Sequence, residues 1–197
     1  MTTEPPRRSR SRLAVIGAGF LLAQVAAVGV YRWVENARER DDAPRFRSEH
    51  VDAPASPITM SRPDGTPMSL ESLRGRRVLL HFWATWCAPC RVELPNLLEL
   101  GRSLGNDGRI SVIAVAMDDD WEAVRQFFNG TIPPEVVRVE ANEAERLYGV
   151  STLPDTYLID ASGHLRLRFR GARDWRNPIA RETLTKIGYV ARQGSPQ

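Results

Sequence analysis

The feature that most constrains this 197-residue chain is the run Val78-Leu79-Leu80-His81-Phe82-Trp83, followed four residues later by the first of two cysteines spaced three apart. A nearly continuous apolar run of this length suits a central strand buried on both faces of a sheet. Pro89 to Leu104 follows, with apolar residues at Val92, Leu94, Leu97, Leu98, Leu100 and Leu104, a pattern that suits a helix. The strand therefore feeds directly into a helix whose first turn carries Cys87 and Cys90. Downstream, Ile110 to Met117 reads as a second buried strand, and Asp118-Asp119-Asp120 can cap a helix from Trp121 to Phe128. A short strand, Val136 to Val139, and a short helix, Glu143 to Tyr148, come next. Thr156–Ile159 and His164–Phe169 read as two strands joined by Asp160-Ala161-Ser162-Gly163, a hairpin signal. Asn177-Pro178 opens a last helix that runs to about Arg192. This order predicts an α/β fold, a mixed sheet with helices on both faces.

The cysteines are the only two in the chain. At a helix start their spacing puts both sulfurs on one side of the first turn, where a disulfide can close or open. Unpaired N–H groups and the helix dipole favour a thiolate at Cys87, and the thiolate is the attacking species in disulfide exchange. Cys87 is thus the predicted nucleophile and Cys90 the resolving thiol. Pro89 stiffens the loop between them, and Pro95 should kink the helix. A purely structural bridge is a poor use of this pair, because closing so short a loop constrains the unfolded chain little. A structural zinc site needs four ligands, and His50, His81 and His164 are scattered. Cu(I) binding stays open, since thiolates suit that ion. No cofactor is expected beyond the redox-active pair itself.

Compartment follows from the N-terminus. Arg7, Arg8, Arg10 and Arg12 against Glu4 account for the whole formal net charge of +3, so the pI of about 9.2 reports on a tail and nucleic acid is not an expected partner. Leu13 to Val30 has no charge and one polar side chain, Gln24, with Tyr31 and Trp33 just beyond. Leu13 to Val34 is long enough to span a bilayer, and the arginines before it predict a cytoplasmic N-terminus and an exported remainder. The rival reading is a cleaved signal peptide, with Val25-Ala26-Ala27 as the small-residue site. The expected organisation is a basic tail (1–12), a transmembrane anchor or signal segment (13–34), a linker (35–57) and a folded domain (58–192).

The run Phe82-Trp83-Ala84-Thr85-Trp86-Cys87-Ala88-Pro89-Cys90-Arg91-Val92-Glu93-Leu94-Pro95 resembles the thioredoxin superfamily, and within it the membrane-anchored TlpA/ResA-like branch. Gly149-Val150-Ser151-Thr152-Leu153-Pro154-Asp155-Thr156-Tyr157-Leu158-Ile159-Asp160 is similar to the second motif of that family, and the likeness covers roughly residues 56–192. The resemblance implies a thioredoxin-like fold and a thiol–disulfide oxidoreductase outside the cytoplasmic membrane. It implies a cis Pro154 facing the cysteines, with Leu153 pairing its backbone to a bound client strand. Trp86 and Thr152 are expected beside that client. Glu93, three residues after Cys90, is either an exposed helix glutamate or, as the branch suggests, a partly buried carboxylate that tunes the thiols or relays protons. His81 departs from the pattern, because thioredoxins carry Asp there and relatives of this branch often Asn; it reads as a neutral core histidine or a proton shuttle.

The resemblance also implies the partners: exported proteins with disulfides, among them apocytochromes c or copper-site proteins, and a membrane electron donor. An oxidant that introduces disulfides is the alternative within the class, and a Cu(I) chaperone the alternative outside it. The alternation Leu165-Arg166-Leu167-Arg168-Phe169-Arg170 puts three arginines on one strand face, either solvated or able to dock an acidic partner.

Overall fold

The computed structural model describes residues 23–33, 46–105 and 110–190, without the side chains of residues 186–190. Residues 23–33 are helical (α1) and lie in a unit, Met1–Pro44, separate from the unit Arg45–Gln197. Val25, Val28, Val30, Tyr31 and Trp33 on α1 are exposed. Among the described residues no helix is long and apolar enough to cross a membrane; half of the expected 13–34 span lies outside them.

The second unit is built on β1 (Glu49–Pro54), β2 (Thr59–Ser61), β3 (Pro67–Ser69), β4 (Arg77–Trp83), α2 (Ala88–Gly105), β5 (Ile110–Ala116), α3 (Trp121–Phe127), β6 (Val136–Arg138), α4 (Ala141–Tyr148), β7 (Asp155–Ile159), β8 (His164–Arg170) and α5 (Pro178–Val190). The strands form one mixed sheet in the order β1-β8-β7-β4-β5-β6-β2-β3. β4, β5 and β6 run parallel, and β7 pairs antiparallel with β4.

β4 is central and buried on both faces, as its composition predicts. Leu79 and Trp83 join Leu94, Leu97, Val124 and Leu184, so α2, α3 and α5 cover that face. Val78, Leu80 and Phe82 point the other way, to Ala144 and Tyr148 of α4. Strand alternation then places His81 on the α2 face with Leu79 and Trp83.

Local signals worked where they were strong. Asp120 caps α3, its side chain accepting from the N–H groups of Glu122 and Ala123. Asp160 organises the β7–β8 hairpin by accepting from Ser162 and His164, and Gly163 takes φ 84°, which suits glycine. The expected linker is different. Residues 49–54 are not a tether but β1, the edge strand beside β8. The charges and Pro54 that made the segment read as a linker belong to an exposed edge. Asp52 and Glu49 reach Arg166 and Arg170 of β8, so the arginine face is ion-paired within the fold.

Candidate active site

β4 ends at Trp83, and its last ladder pair with β7 is Phe82 with Asp155. One step further along the same ladder lie Trp83 and Pro154. The cysteine loop leaves β4 at the same end of the sheet at which the 149–154 segment enters β7. Two stretches some 65 residues apart in sequence therefore converge.

Cys87 and Cys90 form a disulfide, with Cα atoms 5.3 Å apart. Cys87 directly precedes α2, and its Sγ accepts the backbone N–H of Cys90 at 3.3 Å. Cys87 thus occupies the capping position of the helix, with its sulfur where a side-chain oxygen ordinarily sits. Pro89 has no N–H to offer, which makes the Cys90 amide the inward donor of the first turn. Cys90 is fully buried and Cys87 nearly so, while Trp86 beside them is 70% exposed. The loop before the pair is pinned by Asp118, whose carboxylate accepts from both the N–H and the hydroxyl of Thr85. Arg138 in turn donates to the carbonyls of Asp118 and Asp119.

The Leu153–Pro154 bond is cis. Pro154 is buried and its carbonyl accepts from the Gly171 N–H at 2.8 Å. Leu153 is half-buried and packs against both apolar clusters; Thr152 is exposed.

Glu93 is buried, so it is not the exposed helix glutamate of the plainer sequence reading. It lies one turn after Cys90 on the same face of α2. Its Oε2 accepts the backbone N–H of Arg173, and Oε1 faces His81 Nε2 at 3.6 Å. His81 is fixed from behind, its Nδ1 lying 2.8 Å from Thr156 Oγ1, across the β4–β7 ladder where the two residues are register partners. Burial pushes the Glu93 carboxyl up to about 7, opposed by the Arg173 amide, the Trp175 indole and the Arg173 guanidinium. The indole is near enough to matter electrostatically but makes no hydrogen bond. Burial also pulls His81 down to about 3. Both groups are driven toward neutrality: a carboxylic acid facing a bare Nε2, with Nδ1–H on the threonine, is the arrangement that needs no buried charge.

The sequence pointed to His81 and Glu93 separately but not to their meeting, nor to the cover of Glu93. That cover is Arg173 and Trp175 after β8, held by Phe46 and Arg47 at the start of the unit. Phe46 packs on Phe169 and Trp175, and the Arg173 guanidinium donates to the Arg47 carbonyl. Alternation in β4 was the one signal available, and it needs the position of α2 to become a contact. Among the described residues no cluster of three or more His, Cys, Asp or Glu side chains could hold a metal ion.

A thioredoxin-type sheet that presents a Cys-x-x-Cys disulfide at the start of its central helix defines a thiol–disulfide oxidoreductase. Residues 51–168 match the AhpC/TSA family, and the chain belongs to that family of the thioredoxin superfamily. Among its relatives, the thiol-disulfide oxidoreductase ResA of Oceanobacillus iheyensis is 30% identical over 173 residues, 86% of this chain and 87% of that protein. The thiol:disulfide interchange protein HelX of Rhodobacter capsulatus is 29% identical over 175 residues, 87% of this chain and 85% of that one. The crystal structure of a thiol:disulfide interchange protein described as DsbE, from Chlorobium tepidum, matches with a TM-score of 0.58 at 28% identity, covering 74% of this chain and all of the other. The chain is an enzyme that uses its Cys-x-x-Cys pair for thiol–disulfide exchange.

Proposed function

We propose that this protein reduces disulfides in exported client proteins, with apocytochromes c as the favoured clients, from a position on the outer side of the cytoplasmic membrane. The observation that carries the reading is Cys87 at the head of α2, its sulfur already accepting the Cys90 N–H. The same donor, with the helix dipole, stabilises a thiolate when the bridge opens.

The exchange runs in two displacements. The Cys87 thiolate attacks one sulfur of the client disulfide; that S–S bond breaks, a mixed disulfide forms, and the first client thiolate leaves and takes up a proton. Cys90, deprotonated, then attacks Cys87 Sγ, the mixed disulfide breaks, and the second client thiolate leaves. Two electrons have passed to the client, and Cys87–Cys90 is oxidised. In its ionised form, which a carboxyl held near about 7 reaches at neutral pH, Glu93, one turn from Cys90, is the group that takes the Cys90 proton. Trp86, Thr152 and Leu153 border the cysteines and meet the client, while Pro154 closes the site opposite them. An electron donor in the membrane restores the dithiol, since the compartment is oxidising. The uncharged run Leu13–Val30 and the exposed apolar side chains of α1 support a membrane anchor behind the basic tail.

Trapping tests this. Cys90→Ser leaves Cys87 unresolved, so mixed disulfides with clients accumulate in intact cells and mass spectrometry names them. Cells that yield no trapped protein would remove the exported-client reading. The reduction potential tests direction: a value near about −270 mV supports a reductase, and one near about −120 mV an oxidant.

A further inference from the structure

β8 carries three arginines on alternate positions, and the exchange chemistry described above uses none of them. They differ in surroundings. Arg166 and Arg170 are part-exposed and pair with Asp52, Asp160 and Glu49 near the sheet edge. Arg168 is 9% exposed and its partner Asp155 only 1%. Withdrawing two charges from water is costly, so such a pair persists only with close geometry and further hydrogen bonds.

Arg168 has both. Its Nε lies 3.1 and 3.2 Å from the two Asp155 carboxylate oxygens, and Nη2 also donates to that carboxylate. Nη2 donates to the Gly149 carbonyl at 2.9 Å as well, and the guanidinium lies over the Tyr157 ring, 4.9 Å from its centre. The two ends it grips belong to one loop. Gly149 closes α4 in the left-handed conformation at φ 62°, and Asp155 is the first residue of β7. Between them run Val150 to Pro154, which include Thr152 and Leu153.

We infer that Arg168 is a positioning residue for client binding: its planar fork holds the 149–155 loop by both ends, at the end of the sheet where Cys87 emerges. The inference rests on the proposed reading that Leu153 and Thr152 meet the client. Only a fork can serve both ends. Lysine offers a point charge and cannot grip the Asp155 carboxylate with two donors while also reaching the Gly149 carbonyl. Loop order that is lost must be restored on binding, and its cost falls on affinity rather than on the sulfur chemistry.

The test uses the full chain, reduced and freed of reductant, in single turnovers with the probe in excess, where KM is read as the half-saturating concentration and kcat as the limiting rate; the probes are an oxidised peptide containing Cys-x-x-Cys-His and the small disulfide 5,5′-dithiobis(2-nitrobenzoate). Arg168→Lys should raise KM for the peptide about tenfold, with kcat and the rate with the small disulfide both within twofold of wild type. The double variant Arg168→Met with Asp155→Asn leaves no orphaned buried charge, so it separates loop placement from stability. It should show the same rise in KM. Hydrogen exchange at amides 150–153 should quicken in both variants while β4 and α2 stay protected. The inference is overturned if KM stays within twofold of wild type, or if kcat and the small-disulfide rate fall along with it. A wild-type protein that reacts with the small disulfide but not the peptide would instead sink the proposed client, which is a separate failure.

Discussion

Replacing Glu93 by Gln should remove part of the pH dependence of stability. Burial lifts the folded carboxyl to about 7 from the ordinary value of 4.5. The folded state therefore binds a proton more tightly than the unfolded chain between these values. Stability contributed by this group is fully present below pH 4.5 and is lost as the pH climbs through 7, because a bare carboxylate must then stay buried. Moving one carboxyl that far is worth about 3 kcal/mol in all, most of which falls between pH 5 and 8. Gln keeps the shape and the acceptor for Arg173 but cannot ionise. His81 works in the opposite sense, since its depressed value costs stability as the pH falls below 6.5; it is present in both proteins and cancels in the comparison. The oxidised state is the one to use, because the closed Cys87–Cys90 bridge removes the thiols from the titration. Urea unfolding of wild type and Glu93→Gln at pH 5 and pH 8 gives the double difference directly. The stability of wild type relative to the variant should drop by about 2–3 kcal/mol on going to pH 8. A relative stability that stays flat, or that rises with pH, would refute a buried proton-holding Glu93.

Three further outcomes follow from the packing. Thr156→Val strips His81 Nδ1 of its one hydrogen-bond partner inside the sheet and should cost about 1–3 kcal/mol in the same urea assay. Gly101→Ala would place its Cβ 2.4 Å from Val112 Cγ2, so α2 must lift off β5; a loss of about 1–3 kcal/mol is expected, and an unchanged midpoint would show that the helix moves freely. Asp120→Ala removes the cap of α3 at about 1 kcal/mol, and Asp120→Asn should restore it, which thermal unfolding can read.

Relatives explain little of this chemistry by name alone, since sheet and cysteine pair are common to the superfamily while the surroundings of Glu93 depend on individual contacts. Here Phe46 and Arg47, at the very start of the folded unit, brace the Arg173–Trp175 segment that covers the carboxyl.

Sequence alone determined what depends on near neighbours. The β4 run, the helix after it, the Asp120 cap and the Asp160 hairpin are local patterns, and each is governed by periodicity or by a side chain bonding the backbone two to four residues away. Cys87 at a helix start is equally local, so the redox pair was legible from residues 78–90. Tertiary structure alone decided what depends on partners far along the chain. β1 exists because β8 supplies its ladder, so a segment rich in charge and proline became a strand. Glu93 became a buried acid because Arg173 and Trp175, some 80 residues on, close over it. His81 met Glu93 only once α2 lay across β4. Arg168 left the solvated stripe suggested by its alternation because Asp155 and Gly149 were waiting beneath it. In each case the sequence names the group, and burial against a distant partner sets its charge and its use.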